Sequence, residues 1–434
     1  MNIVMITNTY LPHVGGVAHS VASFCEEYRR AGHQVLVVAP TFPNHPKEET
    51  DVIRVPAIQK FNGSDFSVRI PVPGFLSEKL DRFQPDLIHS HHPFLLGDAA
   101  LRYASSRSLP LVFTHHTMYE QYTHYVPADL AAMKPFVMSL ATEYANLCDQ
   151  VIAPSESVAT ALRRRGVQAP LTVIPTGIER DRFAAGDGGK IRKRFGISKD
   201  SYVIGHLGRL APEKNISFLA AAVAAFMDQY EDSQLLVVGA GPAKKDIKAI
   251  LAGHQLADRL HFTGTLQGRD LVDAYHAMDV FAFASQSETQ GMVLAEAMAA
   301  GLPVVALDAP GAREVVRDLE NGRLLASERV EDFSAALTWL VQCSAREKAR
   351  LRQEALRTAA AFDRTSCAEK ALALYRQSEA GSRTAEAYEH SGWAQARRRL
   401  EAEWNLWSSR AEAAVQALRR KPRQNGPENS TASH

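Results

Sequence analysis

Several side chains in this sequence have types and spacings suited to gripping a phosphorylated, hydroxyl-rich ligand. Two carboxylates, Glu288 and Glu296, stand eight residues apart in SETQGMVLAEAMAAG, with Gly291 between them. Two acids held beside a helix end that favours anions suggest recognition of the hydroxyls of a nucleotide sugar. Arg209 and Lys214 sit five apart in GRLAPEKN. Across a short loop both cations can converge on one diphosphate. His116, past the end of the apolar run LVFT, is placed to donate a hydrogen bond to a sugar hydroxyl. The adjacent glycines Gly15 and Gly16 let a backbone approach a phosphate or sugar closely, with their N–H groups available as donors. Each feature has a plainer alternative: surface acids flanking a core helix, a solvated charge pair, a partly buried imidazole, a simple turn.

The surrounding elements decide between these. The run Val293–Ala300 is rich in good helix formers and closes on Gly301, suited to a C-cap, with Pro303 beyond it. Asp279–Ala284 and Pro303–Leu307 read as buried strands on either side. Glu288 is therefore expected in a loop after a strand, and Glu296 early in the next helix. Gly291, Met292 and Val293 lie where its first amides face the ligand crevice of an open α/β sheet. Val203–Leu207 is a strand running straight into Gly208 and Arg209. In the first half, Asn2–Thr7, Gln34–Pro40, Asp86–Ser90, Leu111–Thr114 and Gln150–Ala153 alternate with helical stretches. One of these opens at Gly15-Gly16 with Val17, Val21, Phe24 and Tyr28 on its inner face. This alternation indicates parallel, doubly wound sheets.

The chain has 434 residues, enough for two full domains. Its 49 Lys and Arg against 48 acids give no case for nucleic acid. Four scattered cysteines, with no CxxC pair, suit a reducing compartment. The start MNIVMITNTYLP has no leader pattern and no apolar stretch reaches transmembrane length, so a cytoplasmic protein is expected. The histidines of IHSHHPF and FTHHTMYEQYTHYV (His89, His91, His92, His115, His116, His124) invite a metal, but there is no HExxH and no carboxylate at ligand spacing, so none is expected. Gly239-Ala-Gly241-Pro242 is a broken GxGxxG, with Lys244 at the third position, which argues against a nicotinamide cofactor. The expected layout is an N-terminal domain at 1–180, a Gly-rich linker at 181–195 and a second domain at 196–378. A helical extension at 379–423 and a disordered tail at 424–434 complete it.

Three strings carry a family resemblance over roughly residues 1–380. SETQGMVLAEAMAAG resembles the E-x7-E segment, and GRLAPEKN the G-R-L-x3-K motif, of retaining glycosyltransferases with the GT-B architecture: two Rossmann-like doubly wound domains facing a cleft. HHTMYEQYTHY is similar to cytoplasmic glucosyltransferases that make α-glucosyl diacylglycerol from UDP-glucose. One departure is Gln290-Gly291-Met292, where relatives often carry an aromatic. The resemblance implies retaining transfer of a hexose from a UDP-sugar donor, with no cofactor, to a lipid or small-molecule acceptor. It places His116, Glu288, Arg209 and Lys214 in catalysis. It assigns Gly15, Gly16, Gly208, Arg209, Lys214, Glu288, Gly291, Met292, Val293 and Glu296 to the donor. In the family, the region near Tyr119, Tyr122 and Tyr125 lies close to acceptor entry and the membrane. Peripheral contact with anionic lipid has two further candidates here. One is the triple arginine Arg163–Arg165. The other is the 393–423 segment, with Trp393, Leu400, Trp404 and Trp407 on one helical stripe. A solvated helix end and packing onto the first domain are their respective alternatives.

Overall fold

The computed structural model describes residues 1–13, 15–46, 48–58, 68–69, 75–116 and 133–378. The described residues belong to one compact unit. Tyr119, Tyr122, His124, Tyr125 and the extension at 379–434 lie outside the described residues.

The first domain carries β1 (Asn2–Ile6), β2 (Gln34–Pro40), β3 (Val52–Val55), the short antiparallel pair β4 (Ala57–Ile58) and β5 (Val68–Arg69), then β6 (Leu87–Ser90), β7 (Leu111–Thr114), β8 (Gln150–Ala153) and β9 (Leu171–Val173). The second carries β10 (Tyr202–Leu207), β11 (Ser233–Val238), β12 (Leu260–Gly264), β13 (Val280–Phe283), β14 (Val304–Leu307) and β15 (Gly322–Leu325). Most of these strands are short runs of Val, Ile and Leu because each sheet is parallel and covered by helices on both faces, leaving no solvent side to alternate toward. The sheet orders are β3-β2-β1-β6-β7-β8-β9 and β12-β11-β10-β13-β14-β15, with parallel pairing throughout. This is the expected pair of Rossmann-like domains.

Strand order reverses between β1 and β6 in the first sheet and between β10 and β13 in the second. At such a reversal the two following loops leave in opposite directions and open a crevice at the carboxyl ends of the strands. Those four loops carry Gly15-Gly16, His91-His92, Gly208–Lys214 and Ser285–Gly291.

Ile3, Met5, Val37, Val112 and Ile152 pack with Phe24 and Tyr28 in the first core. In the second domain Phe281, Phe283, Leu294 and Met298 cover one side of the sheet. Ile204, Val237, Phe226 and Phe333 cover the other. The chain passes between domains from Ile174, buried in the first core, to Ile178, buried in the second. It then returns. Ile178 pairs with Asp363, and the helix Arg364–Gln377 buries Cys367, Ala371, Leu374 and Tyr375 against the helix Gly16–Arg30. Phe183 and Ile191 pack with the second core, and Gly188 lies so close to the helix Gly268–His276 that a Cβ there would meet the His276 carbonyl at 2.1 Å.

Candidate functional site

Beyond β10, the Gly208 amide continues the ladder by donating to the Val238 carbonyl at 3.0 Å. The loop tightens into a single turn at Pro212–Lys214, and Asn215 follows in the left-handed region at φ 54°. The turn presents Lys214 toward β13, where its Nζ meets Glu288 Oε1 at 2.5 Å with both side chains about three-quarters buried. Arg209 is half exposed and paired with Glu213. Two further bonds fix the turn: Ser287 Oγ donates to the Glu213 carbonyl at 3.1 Å, and Asn215 Nδ2 donates to Glu328 Oε1 at 2.9 Å. Beneath the pair lies His206, whose Nδ1–H donates to the Ala282 carbonyl at 3.1 Å. Burial pushes its pKa down to about 4, so its ring is neutral.

Two glycines hold the Glu288 loop in place. Gly291, at φ 66°, is the N-cap of the helix Met292–Ala299, and a Cβ there would lie 2.5 Å from the Gly311 carbonyl. Gly311, at φ 82°, would carry a Cβ 2.5 Å from that of Glu288. Neither left-handed backbone nor close approach tolerates a side chain, so the loops after β13 and β14 interlock at Glu288. The amides of Met292 and Val293, in the first turn of this helix, have no i−4 carbonyl to bond and remain donors for an anion. One turn further, Glu296 is partly buried and accepts from Tyr275 OH at 2.7 Å. Burial raises its pKa to about 7, against the opposing effects of the Tyr275 hydrogen bond and Arg182.

The first domain supplies the other wall. Gly15, in extended backbone, is the N-cap of the helix Gly16–Arg30. Ser20 on this helix is 2.8 Å, oxygen to oxygen, from Thr176, which bonds Gln290 twice: Thr176 N donates to Gln290 Oε1 at 2.8 Å, and Gln290 Nε2 donates to Thr176 Oγ1 at 3.0 Å. The helix after Gly15-Gly16 and the loop holding Glu288 are thus joined through three side chains. His116, half buried beyond β7, shares a 2.9 Å N···N hydrogen bond with His91. Burial and the neighbouring imidazoles hold both rings neutral. Among the described residues no hydrogen bond or ion pair joins His116 to Lys214 or Glu288.

Gln290, Thr176 and Tyr275 escaped the sequence analysis as site-building residues. Gln290 carried one signal, its place in the departing string Gln290-Gly291-Met292; the other two carried none. Among the described residues no group of three or more His, Cys, Asp or Glu is arranged to hold a metal.

Two parallel doubly wound domains, with a cation–carboxylate pair at the switch point of the second, are the architecture expected of a GT-B transferase. Comparison with known proteins agrees and narrows the class. Residues 14–182 match the model for Glycosyltransferase Family 4, and residues 187–358 the model for Glycosyl transferases group 1. The alpha-monoglucosyldiacylglycerol synthase of Streptococcus pneumoniae is 32% identical over 345 residues, covering 78% of this chain and 77% of that one. The GDP-mannose-dependent alpha-mannosyltransferase of Mycobacterium tuberculosis is 29% identical over 332 residues, covering 75% and 84%. The crystal structure of Anabaena Alr3699/HepE in complex with UDP superposes with a TM-score of 0.69 at 21% identity, covering 87% of this chain and all of that one. The chain belongs to the Glycosyltransferase Family 4 enzymes.

Proposed function

We propose that the protein transfers glucose from UDP-glucose to the free hydroxyl of diacylglycerol with retention, giving an α-glucolipid. The observation that carries this is the Lys214–Glu288 pair at the switch point, in a chain 32% identical to an alpha-monoglucosyldiacylglycerol synthase. As the glycosidic bond breaks, the β-phosphate oxygen gains charge, and Lys214 and Arg209 stabilise it together with the amides of Met292 and Val293. The acceptor hydroxyl attacks C1 on the face the diphosphate leaves, and its proton passes to the departing phosphate oxygen. The C1–O bond to phosphate breaks as the C1–O bond to the acceptor forms, so UDP departs and no protein nucleophile is consumed. Glu288 orients the donor-sugar hydroxyls and Glu296 the ribose. His116 donates to the sugar from the first domain, and Gly15-Gly16 and Gly208 bring backbone close to the donor. No cofactor takes part, because the sugar nucleotide carries its own leaving group.

No helix among the described residues is long and apolar enough to cross a membrane. In this proposal the enzyme reaches its lipid from the cytoplasmic face, with the exposed Arg163 and Arg164 meeting anionic headgroups. The test is a screen of radiolabelled UDP-glucose, UDP-galactose and GDP-mannose against diacylglycerol vesicles and soluble sugars. Label from UDP-glucose alone in a solvent-extractable lipid, released as glucose by an α-glucosidase, supports the proposal. Label from GDP-mannose, or only in a soluble product, replaces it.

A further inference from the structure

Three imidazoles stand in file at the carboxyl ends of β6 and β7. The His89 and His91 ring centroids are 4.1 Å apart, and those of His91 and His116 are 5.2 Å apart and stacked. His89 is itself fixed at both nitrogens, Nε2 to Thr114 Oγ1 at 2.7 Å and Nδ1 to Tyr375 OH at 2.5 Å. His91 is 1% exposed, and its ring orientation is set by the two rings that flank it.

The contact between His91 Nδ1 and His116 Nε2 needs one N–H and one lone pair, and each neutral ring carries one of each. Two assignments satisfy it, and the other side of His91 separates them. His91 Nε2 is buried with no hydrogen-bond partner among the described residues. If the contact proton belonged to His116, His91 would bury an orphaned N–H. If it belongs to His91, only a lone pair is left bare. A stranded buried donor is the rarer and costlier of the two. His91 therefore donates through Nδ1, His116 accepts through Nε2, and the remaining proton of His116 must sit on Nδ1. That nitrogen has no hydrogen bond within the described residues.

We propose that His91 is a positioning residue, which locks His116 in the tautomer that presents Nδ1–H as a donor to an oxygen of the transferred sugar. The inference builds on the role of His116 in the proposed function, and the tautomer itself is measurable without turnover.

The test is long-range proton–nitrogen correlation NMR on the full chain labelled with 15N-histidine, with His116 assigned by loss of its signals in His116→Ala. The expected spectrum has a protonated Nδ1 and a bare Nε2 on His116; the reverse pattern overturns the inference, whatever the rate of transfer. His91→Phe keeps the ring stack and removes the donor. Its kcat should fall about 10–100-fold while the donor KM moves less than about threefold. His91→Asn keeps an amide donor near the position of Nδ1 and should recover most of that loss. A His91→Phe enzyme with wild-type kcat overturns the positioning role. If His116→Ala instead transfers at the wild-type rate, the sugar contact fails while the tautomer result stands, so the two ideas are separable.

Discussion

Lys214 Nζ lies 2.5 Å from Glu288 Oε1, and that bond spans the reversal between β10 and β13. In the reaction proposed above, the donor diphosphate competes with Glu288 for the ammonium, which frees the carboxylate to accept sugar hydroxyls. Removing the cation should therefore cost rate far more than fold. Lys214→Ala and Glu288→Ala should each lower kcat by about 10²–10³. Their melting temperatures should stay within a few degrees of wild type, since a partly exposed pair contributes about 1 kcal/mol or less. Wild-type kcat with a collapsed melting temperature would make the pair structural.

The buried carboxyl of Glu296 gives the fold, and the donor site proposed above, a pH dependence whose sign follows from its raised pKa. Its carboxyl pKa is raised from 4.5 to about 7, chiefly by burial. The folded protein thus holds this proton more tightly than the unfolded chain. Its contribution to stability is complete below about pH 4.5 and lost as pH rises through about 7, a difference on the order of 3 kcal/mol. In the proposed donor site, ribose recognition runs the other way, because the ionised carboxylate is the better acceptor. Donor KM should fall as pH rises from 6 to 8, and Glu296→Gln should show a higher, flat KM. The same variant should melt higher than wild type at pH 8 but not at pH 5. A wild-type KM that ignores pH over this range would remove Glu296 from the donor site.

The parts of this site that follow local rules were legible in the sequence. The strand ends, the loop position of Glu288 and the helical position of Glu296 follow from Val, Ile and Leu runs and from Gly301 and Pro303, all within a few residues of one another. Contacts closed over long loops were not. Gln290 lies in a string that departs from the family pattern, yet its partner Thr176 lies 114 residues away. Tyr375 and His89 are 286 residues apart, and nothing periodic around either announces the bond. The return of the helix Arg364–Gln377 to the first domain was hidden for the same reason. Its buried face, Cys367, Ala368, Ala371, Leu372 and Tyr375, would suit packing against any apolar surface.

That returning helix is anchored by charge. Arg364 Nε meets Glu27 at 2.7 Å, and Thr365 Oγ1 donates to the same carboxylate at 3.0 Å. The Glu27 side chain is only 3% exposed and is also paired with Arg30 on its own helix, whereas Glu26 and Glu179, which also touch Arg364, stay in contact with water. Arg364→Ala should destabilise by about 1–3 kcal/mol, because it removes one of the two cations on a buried carboxylate and leaves Arg30 as the other. Combining it with Glu27→Met, which removes the under-compensated charge, should recover part of that loss in urea unfolding. Additive losses in the double variant would contradict the pairing.

Glu314 ties the two walls of the cleft at a different point. From the short helix Ala312–Val315 it accepts from the Ser157 amide at 2.9 Å and the Glu156 amide at 3.3 Å, at the start of the helix Glu156–Arg164 in the first domain. Ser155 Oγ accepts from Val158 N at 3.3 Å, so three amides that the helix cannot satisfy internally are met, two of them from the opposite domain. A carboxylate is the right charge for a helix N-terminus, and the contact should contribute about 1–2 kcal/mol to holding the two domains together. The proposed reaction draws on groups from both domains, so Glu314→Ala should lower kcat/KM about tenfold, and Glu314→Gln less. Amide hydrogen exchange at residues 156–158 should accelerate in the alanine variant by a similar factor. If exchange accelerates while kcat/KM is unchanged, Glu314 merely caps a helix; if neither changes, the contact is not part of the working enzyme.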